Sequence, residues 1–436
     1  MRSMALWGLV SCASYDADVA FTFCNLEAPA EPGWPADHPE PTWHQDVAPI
    51  VAARCQGCHE PGGIAALPLT SRDEVVRFRD AVHDAVASER MPPWPPESCC
   101  GQTYRDSRRL PDAERATLLR WLEGDQAEGD PKAPAPPIER PSPGPSRIDA
   151  VVTMPEAYTP VGKVGDSDDI RCFVIDLPPE ARGRYVTGLR FDPGTRALVH
   201  HVVISTVTGR NLADAERRQA EEPGAGFDCY EGTFLGASGI LGGWVPGAEG
   251  ADYPEGWVTP LPDDGKILLN VHYDVSAAPD GLSDQSSIAF KLEDEPPFIA
   301  ETTTFAVLNP LWLFDNGMRI EPGAVDAAFA VHWDPQPIYG RERSWDLHKV
   351  FLHMHEYGVS GRVAVMHADG TQTCLLDVAE WDFAWHGDYW FETPVRFHPG
   401  DRLFVECRFR NPTDRALRWG ADEEMCAALV SAVEVL

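Results

Sequence analysis

Val350-Phe351-Leu352-His353-Met354-His355-Glu356-Tyr357 is an apolar, aromatic run carrying two histidines two positions apart. Side chains of an extended strand alternate between faces, so His353 and His355 share one face without distortion. A second run, Ala197-Leu198-Val199-His200-His201-Val202-Val203-Ile204, sets two histidines side by side. Neighbours on a strand point to opposite faces, so His200 and His201 meet one metal only if the strand bulges or ends there. Leu268-Leu269-Asn270-Val271-His272-Tyr273 holds a further histidine. A single histidine on an apolar strand is ordinarily a satisfied core residue. Three separate apolar strands, each with one or two, shift that balance toward ligands. Met425 adds a thioether, which favours reduced copper, whereas imidazole binds either oxidation state. The set His200, His201, His272, His353, His355 and Met425 therefore reads as copper ligands, too many for one ion and enough for two.

Working outward, short β-branched and aromatic runs alternate with Pro, Gly and Asp clusters from Ile148 onward. Strands are expected over 171–177, 185–191, 198–207, 266–275, 287–292, 324–333, 349–359, 361–366 and 402–409, which is an all-β texture. Its length exceeds one sandwich, and a break is expected near Asp294-Glu295-Pro296-Pro297. Upstream, residues 41–127 read as a compact helical segment. Asp46 to Arg54 has helical spacing, and Ala113 to Gly124 follows Asp112, expected as an N-cap. Between the two lies a linker over 128–147; its stretch Glu128 to Ser146 holds seven prolines and reads as stiff and extended.

Cys55-Gln56-Gly57-Cys58-His59 has the CxxCH spacing of a c-type haem attachment, with two thiols for thioether bonds and His59 for the iron. A zinc site would want a second spaced pair, and Cys99-Cys100 is adjacent. Met91, before Pro92-Pro93, is the expected second iron ligand. His83 is its rival and reads better as a surface histidine on a helix; His44 reads as structural. His/Met ligation suits an electron carrier.

Net charge is -32 over 436 residues, which argues against nucleic acid as a partner and fits a solvated acidic surface. Eleven cysteines point to an oxidising, extracytoplasmic compartment: periplasm, outer membrane or cell surface. Leu9-Val10-Ser11-Cys12 resembles a lipoprotein cleavage box, so Cys12 is a candidate lipid anchor within an export or tether segment over 1–40. Apart from Cys12, Cys55 and Cys58, the remaining cysteines, Cys24, Cys99, Cys100, Cys172, Cys229, Cys374, Cys407 and Cys426, permit up to four disulfides, which sequence does not pair.

His200-His201-Val202-Val203-Ile204, Gly242-Gly243-Trp244 with Val271-His272-Tyr273, His353-Met354-His355 and Asp422-Glu423-Glu424-Met425-Cys426 stand in a familiar order. In this, residues 148–436 resemble the copper type II, ascorbate-dependent monooxygenases, the family of the peptidylglycine α-hydroxylating and dopamine β-monooxygenases. The resemblance implies two jelly-roll sandwiches, over 148–296 and 297–436; the CxxCH motif and its flanking helices imply a small all-α cytochrome c-like domain over 41–127 ahead of them, which the animal members of that family do not share. The resemblance implies an electron-transfer copper on His200, His201 and His272, and a catalytic, dioxygen-activating copper on His353, His355 and Met425. It also implies a disulfide between Cys407 and Cys426. The chain departs from the peptide-hydroxylating members where they hold a substrate carboxylate: Phe351, Ala427 and Leu429 stand there, so an apolar substrate is expected. Glu356, Tyr357, Trp381, Trp385, Tyr389 and Trp390 are candidates for lining its pocket or for core packing.

The expected activity is hydroxylation of an aliphatic C–H bond with dioxygen, two coppers and one covalently bound haem c as built-in donor. A one-electron haem must be reloaded twice per turnover, so an external electron donor is also expected. The alternative is a non-catalytic extracytoplasmic electron-transfer or copper-handling protein.

Overall fold

The computed structural model describes residues 33–435 apart from 36, 64, 66, 136, 139–143, 163–167, 230–238, 249, 277–280, 296–301, 314–316, 340–341, 386 and 421–422. Cys12, Cys24, most of the 1–40 segment, Asp422 and the Pro296-Pro297 break lie outside the described residues. No described helix is long and apolar enough to cross a membrane.

The first set of strands is β1 (Ala150–Thr153), β2 (Asp168–Asp176), β3 (Tyr185–Asp192), β4 (Val199–Val207), β5 (Phe227–Asp228), β6 (Gly239–Trp244), β7 (Ala251–Asp252), β8 (Thr259–Pro260), β9 (Lys266–Asp274) and β10 (Ser287–Glu293). They form one sheet in the order β5-β2-β9-β4-β6 and another in the order β1-β10-β3-β7, with β8 beside β3. Their β-branched and aromatic residues fit a pleated, buried surface. Phe173, Val186, Phe191, Ile204, Leu269 and Phe290 from both sheets meet in one apolar core.

The second set is β11 (Thr302–Val307), β12 (Arg319–Ile320), β13 (Ala327–Trp333), β14 (Ser344–His353), β15 (Gly358–Met366), β16 (Gln372–Val378), β17 (Tyr389–Phe397), β18 (Arg402–Phe409), β19 (Leu417–Arg418) and β20 (Ala427–Val435). Orders are β11-β20-β14-β17 and β13-β18-β15-β16, with β12 and β19 a separate small pair. Phe305, Trp345, Leu352, Val363, Leu376, Val405 and Val430 fill the core between them. The run expected as one strand over 349–359 is split, because β14 stops at His353 and β15 begins at Gly358.

Ahead of the sheets come α1 (Ala48–Arg54), α2 (Arg72–Arg77), α3 (Arg79–Ala87) and α4 (Asp112–Glu123). Ser71 and Glu74 form a capping box that opens α2. Asp112 lies inside α4 rather than capping it, and its carboxylate suits the positive end of the helix dipole. Trp43, Ile50, Val75, Leu118 and Trp121 form the local core. Arg54 and Glu114 pair through two hydrogen bonds of 2.8 and 2.9 Å beside it.

The expected fold class, a small all-α cytochrome c-like domain followed by two all-β jelly-roll sandwiches, is corrected by this architecture. Among the described residues strand outweighs helix, 37% against 18%, and the helices are few and short. Nor is the helical segment an independent all-α unit. Cys100 is bonded to Cys374, and Tyr104 makes a β-bridge with Phe391. Backbone hydrogen bonds run from Glu97 to Asp377 at 2.8 Å, from Arg105 to Trp390 at 2.8 Å and from Glu392 to Thr103 at 2.9 Å. Tyr104 lies in the core of the second strand set. The physical reason lies in the stretch 97–105 between α3 and α4, whose backbone groups find their partners in the neighbouring sheets instead of within the helical segment.

Candidate functional site: two histidine groups in one cavity

The first group is built in the middle of a sheet. Where β4 pairs with β9 the register slips between Val199 and His201, which leaves His200 as the extra residue. That bulge turns two adjacent histidines toward one point, as a regular strand would not. His201 sits opposite His272 of β9, which is buried to 2%. His200 Nδ1 and His272 Nδ1 each lie 3.2 Å from His201 Nδ1. Ligand atoms of the three lie within 4.8 Å of one another. Nitrogens about 2.0 Å from one tetrahedral ion stand about 3.3 Å apart, so the donor set fits a shared metal. The Cys172–Cys229 disulfide braces β2 and the segment after β5, and β2 lies beside β9.

The second group is built at a strand end. His353 is the last residue of β14, and His355 lies beyond it in the turn before β15. Their Nε2 atoms approach to 3.1 Å. His355 Nδ1 is 3.2 Å from the Glu423 carbonyl, which fixes that nitrogen as the donor and leaves Nε2 for a metal. Trp381 Nε1 donates to the His355 carbonyl at 3.0 Å. Its ring lies against Gly358, where a Cβ would come within 2.6 Å of it, so only glycine admits the contact. Cys407 is bonded to Cys426, tying β18 to the residue after Met425. Met425 lines the same cavity as His353 and His355. Burial lifts the Glu424 carboxyl to about 7, against backbone donors that pull it down.

Both groups face a single cavity of about 1000 Å³. Phe383 stands between them, with its ring centroid 5.9 Å from His201, 5.7 Å from His272 and 5.8 Å from His355. Phe351 stacks near His353 at 6.0 Å and faces Leu429 across the β14–β20 ladder; both line the cavity. Trp385 and Trp390 line it too, as do Glu356 and Tyr357. Tyr389 also reaches the cavity, although it is buried to 4% and packs against Trp94 and Tyr104.

Cys55, Cys58, His59 and Met91 line the same cavity, together with the apolar Leu67, Leu69, Val82 and Val86. His59 Nδ1 is 2.8 Å from the Leu67 carbonyl, a bond that fixes Nδ1 as the donor and leaves Nε2 the unprotonated nitrogen. Cys55 and Cys58 are free thiols. Burial is the main cause that pushes Cys55 up to about 12, and it raises Cys58 as well. A Cβ on Gly247 would fall 3.2 Å from Cys58 Sγ and 3.8 Å from an Arg108 nitrogen. Arg108 donates to the Pro246 carbonyl at 2.9 Å and lies over the rings of Trp94 and Trp385. The CxxCH segment thus sits against the end of β6, where Trp244 pairs with Val202, the residue after His201. His83 stands near Asp84 and Glu123, and His44 near Glu128, outside this cavity lining.

Sequence reasoning gave no role to Phe383, Arg108 or Glu424. Phe383 and Arg108 reach the site only because distant segments dock there, and nothing in their local pattern marks them. Glu424 stood in a motif, but its partners are backbone groups some seventy residues away.

No protein-family model matches the chain. It is similar to DBH-like monooxygenase protein 1 of Homo sapiens, 27% identical over 252 residues, covering 53% of this chain and 39% of the relative. It is also similar to the Mus musculus protein of that name, 28% identical over 276 residues, covering 58% and 43%. Both likenesses extend over somewhat more than half of this chain. The chain spans about two fifths of the length of the curated relatives it matches. Among solved structures, that of infectious bursal disease virus Gx strain aligns at 9% identity over 66% of this chain and 73% of that one, with a TM-score of 0.15, too low to bear on fold.

Proposed function

We propose that this chain is a copper- and dioxygen-dependent monooxygenase that hydroxylates an aliphatic C–H bond of an apolar substrate. One copper belongs on His200, His201 and His272, the other on His353, His355 and Met425. We further propose a covalent haem on Cys55 and Cys58, ligated by His59 and Met91, as resident electron donor. The observation that carries the reading is that all three donor sets open on one cavity.

When bound, the coppers would each supply one electron and activate dioxygen, and the haem would restore those electrons from an external donor. The balance is R–H, dioxygen, two electrons and two protons giving R–OH and water. The chain's own residues prepare the setting. The bulge at His200 converges three imidazoles, and the Glu423 carbonyl holds the His355 ring. Phe351 and Leu429 offer apolar surface beside His353 and no charge to a substrate. Phe383, Trp385 and Trp390 add aromatic surface to the cavity lining. The described disulfides suit an oxidising, extracytoplasmic compartment. A periplasmic or outer-membrane setting is part of the proposal.

The test is metal and haem analysis of the purified full chain, followed by a screen for oxidised products in cell extract under dioxygen. Two coppers, one covalent haem and an oxygenated product are expected. Full metal loading with no dioxygen-dependent product would instead favour the electron-transfer or copper-handling alternative.

A further inference from the structure

We infer that Glu424 is a positioning residue: its buried carboxylate holds His355 and Met425 in one frame and so sets the geometry of the second copper site. The inference rests on the proposed metal role of His353, His355 and Met425, and extends it to a residue outside that ligand set.

The need for such a residue follows from where β14 ends. The last ladder pair between β14 and β20 is His353 with Ala427, so His355 lies beyond the ladder that positions its neighbour. Two carboxylate oxygens replace the ladder. Oε2 of Glu424 accepts the His355 N–H at 2.9 Å and the Met425 N–H at 3.3 Å, and Oε1 accepts the Tyr357 N–H at 2.6 Å. One side chain therefore grips the turn that carries one ligand and the loop that carries another. Glu424 is itself fixed. It is 0% exposed, its N–H donates to the Arg418 carbonyl at 3.2 Å, and its carbonyl accepts from Gly420 at 3.1 Å. Two residues on, Cys426 is bonded to Cys407.

Three backbone N–H groups converge on the two oxygens of Glu424, and these contacts call for acceptors, which a carboxylate supplies at both positions. Glutamine keeps the shape but replaces one oxygen by NH₂. Either orientation of that amide then sets a donor against at least one backbone donor, and the frame loosens. Partners that orient a ligand typically cost 10–100-fold in metal affinity when lost.

The experiment compares full-length wild type with Glu424→Gln by competitive copper(I) titration and by X-ray absorption of the reduced protein. Wild type should bind two coppers, one with a sulfur neighbour; failure here would sink the ligand assignment itself. In Glu424→Gln the sulfur-bearing site should weaken about 10–100-fold and lose sulfur signal, with the all-imidazole site unchanged. A variant with wild-type affinity and sulfur signal would overturn the positioning role while leaving the ligand assignment standing. If the variant does not fold, hydrogen exchange on metal-free wild type decides. The amides of His355, Tyr357 and Met425 should be protected before any metal is added; rapid exchange at all three would overturn the inference.

Discussion

The two histidine groups face one cavity but are built by opposite means. His200, His201 and His272 stand on β4 and β9, adjacent strands of one sheet, and a single bulge completes their convergence. His353, His355 and Met425 come from a strand end, a turn and a loop about seventy residues later, gathered by a carboxylate, an indole and a disulfide. A site set in a hydrogen-bonded ladder is rigid, and moves only if the sheet moves. A site gathered at its edges can be tuned, or damaged, by residues that never touch the metal. The all-imidazole group suits electron transfer with little rearrangement, and the thioether-bearing group suits a centre that must bind and release reactants.

The harshest way to break this comparison is to remove a ladder ligand. His272→Ala should weaken the first copper by at least about 100-fold and leave the second in place, read as copper per chain after dialysis. Retention of both coppers would show that the triad is not a metal site. Next in size is Met425→Leu, which keeps apolar volume but deletes the sulfur. Product formation should fall to background and copper(I) affinity at that site should drop, while haem content stays at the wild-type level. Full hydroxylation would mean that Met425 is no ligand.

Replacing both Cys407 and Cys426 by serine should cost about 3 kcal/mol of stability, from the loop entropy of their separation of 19 residues. The comparison sharpens if the loss falls unequally, with the thioether site loosened and the triad intact. Equal damage to both sites would show that the two share one rigid frame. A gentler probe is acid. Protons compete with copper for three imidazoles at the first site and two at the second, so copper affinity should fall more steeply with decreasing pH at the triad. Equal slopes at the two sites would contradict the ligand counts. The smallest effect is expected from Phe383→Leu, a few-fold change in product formation at full copper loading, because leucine keeps most of the apolar contact.

The same contrast explains what was legible in the sequence. The triad could be read because its rule is local: adjacent histidines on an apolar strand demand a bulge, and β4 has one. The expected strands over 185–191, 266–275 and 402–409 fall within a residue of β3, β9 and β18, since alternation and turn residues are local signals too. The second site was legible only in part. His353 and His355 looked like one strand face, but β14 stops at His353 because Glu424, far away in sequence, takes over the backbone donors. The all-α domain expectation failed for a related reason. Short helices signal locally, whereas Cys100–Cys374 and the Tyr104–Phe391 bridge, which merge them with the sheets, depend on contacts more than 270 residues apart.

The most direct measurement is X-ray absorption at the copper edge of the fully reduced, fully loaded wild-type chain, with copper counted on the same sample. The account predicts two coppers per chain and, averaged over both, about half a sulfur neighbour per copper, with imidazole making up the rest. A single copper per chain, or two with no sulfur neighbour, would contradict it.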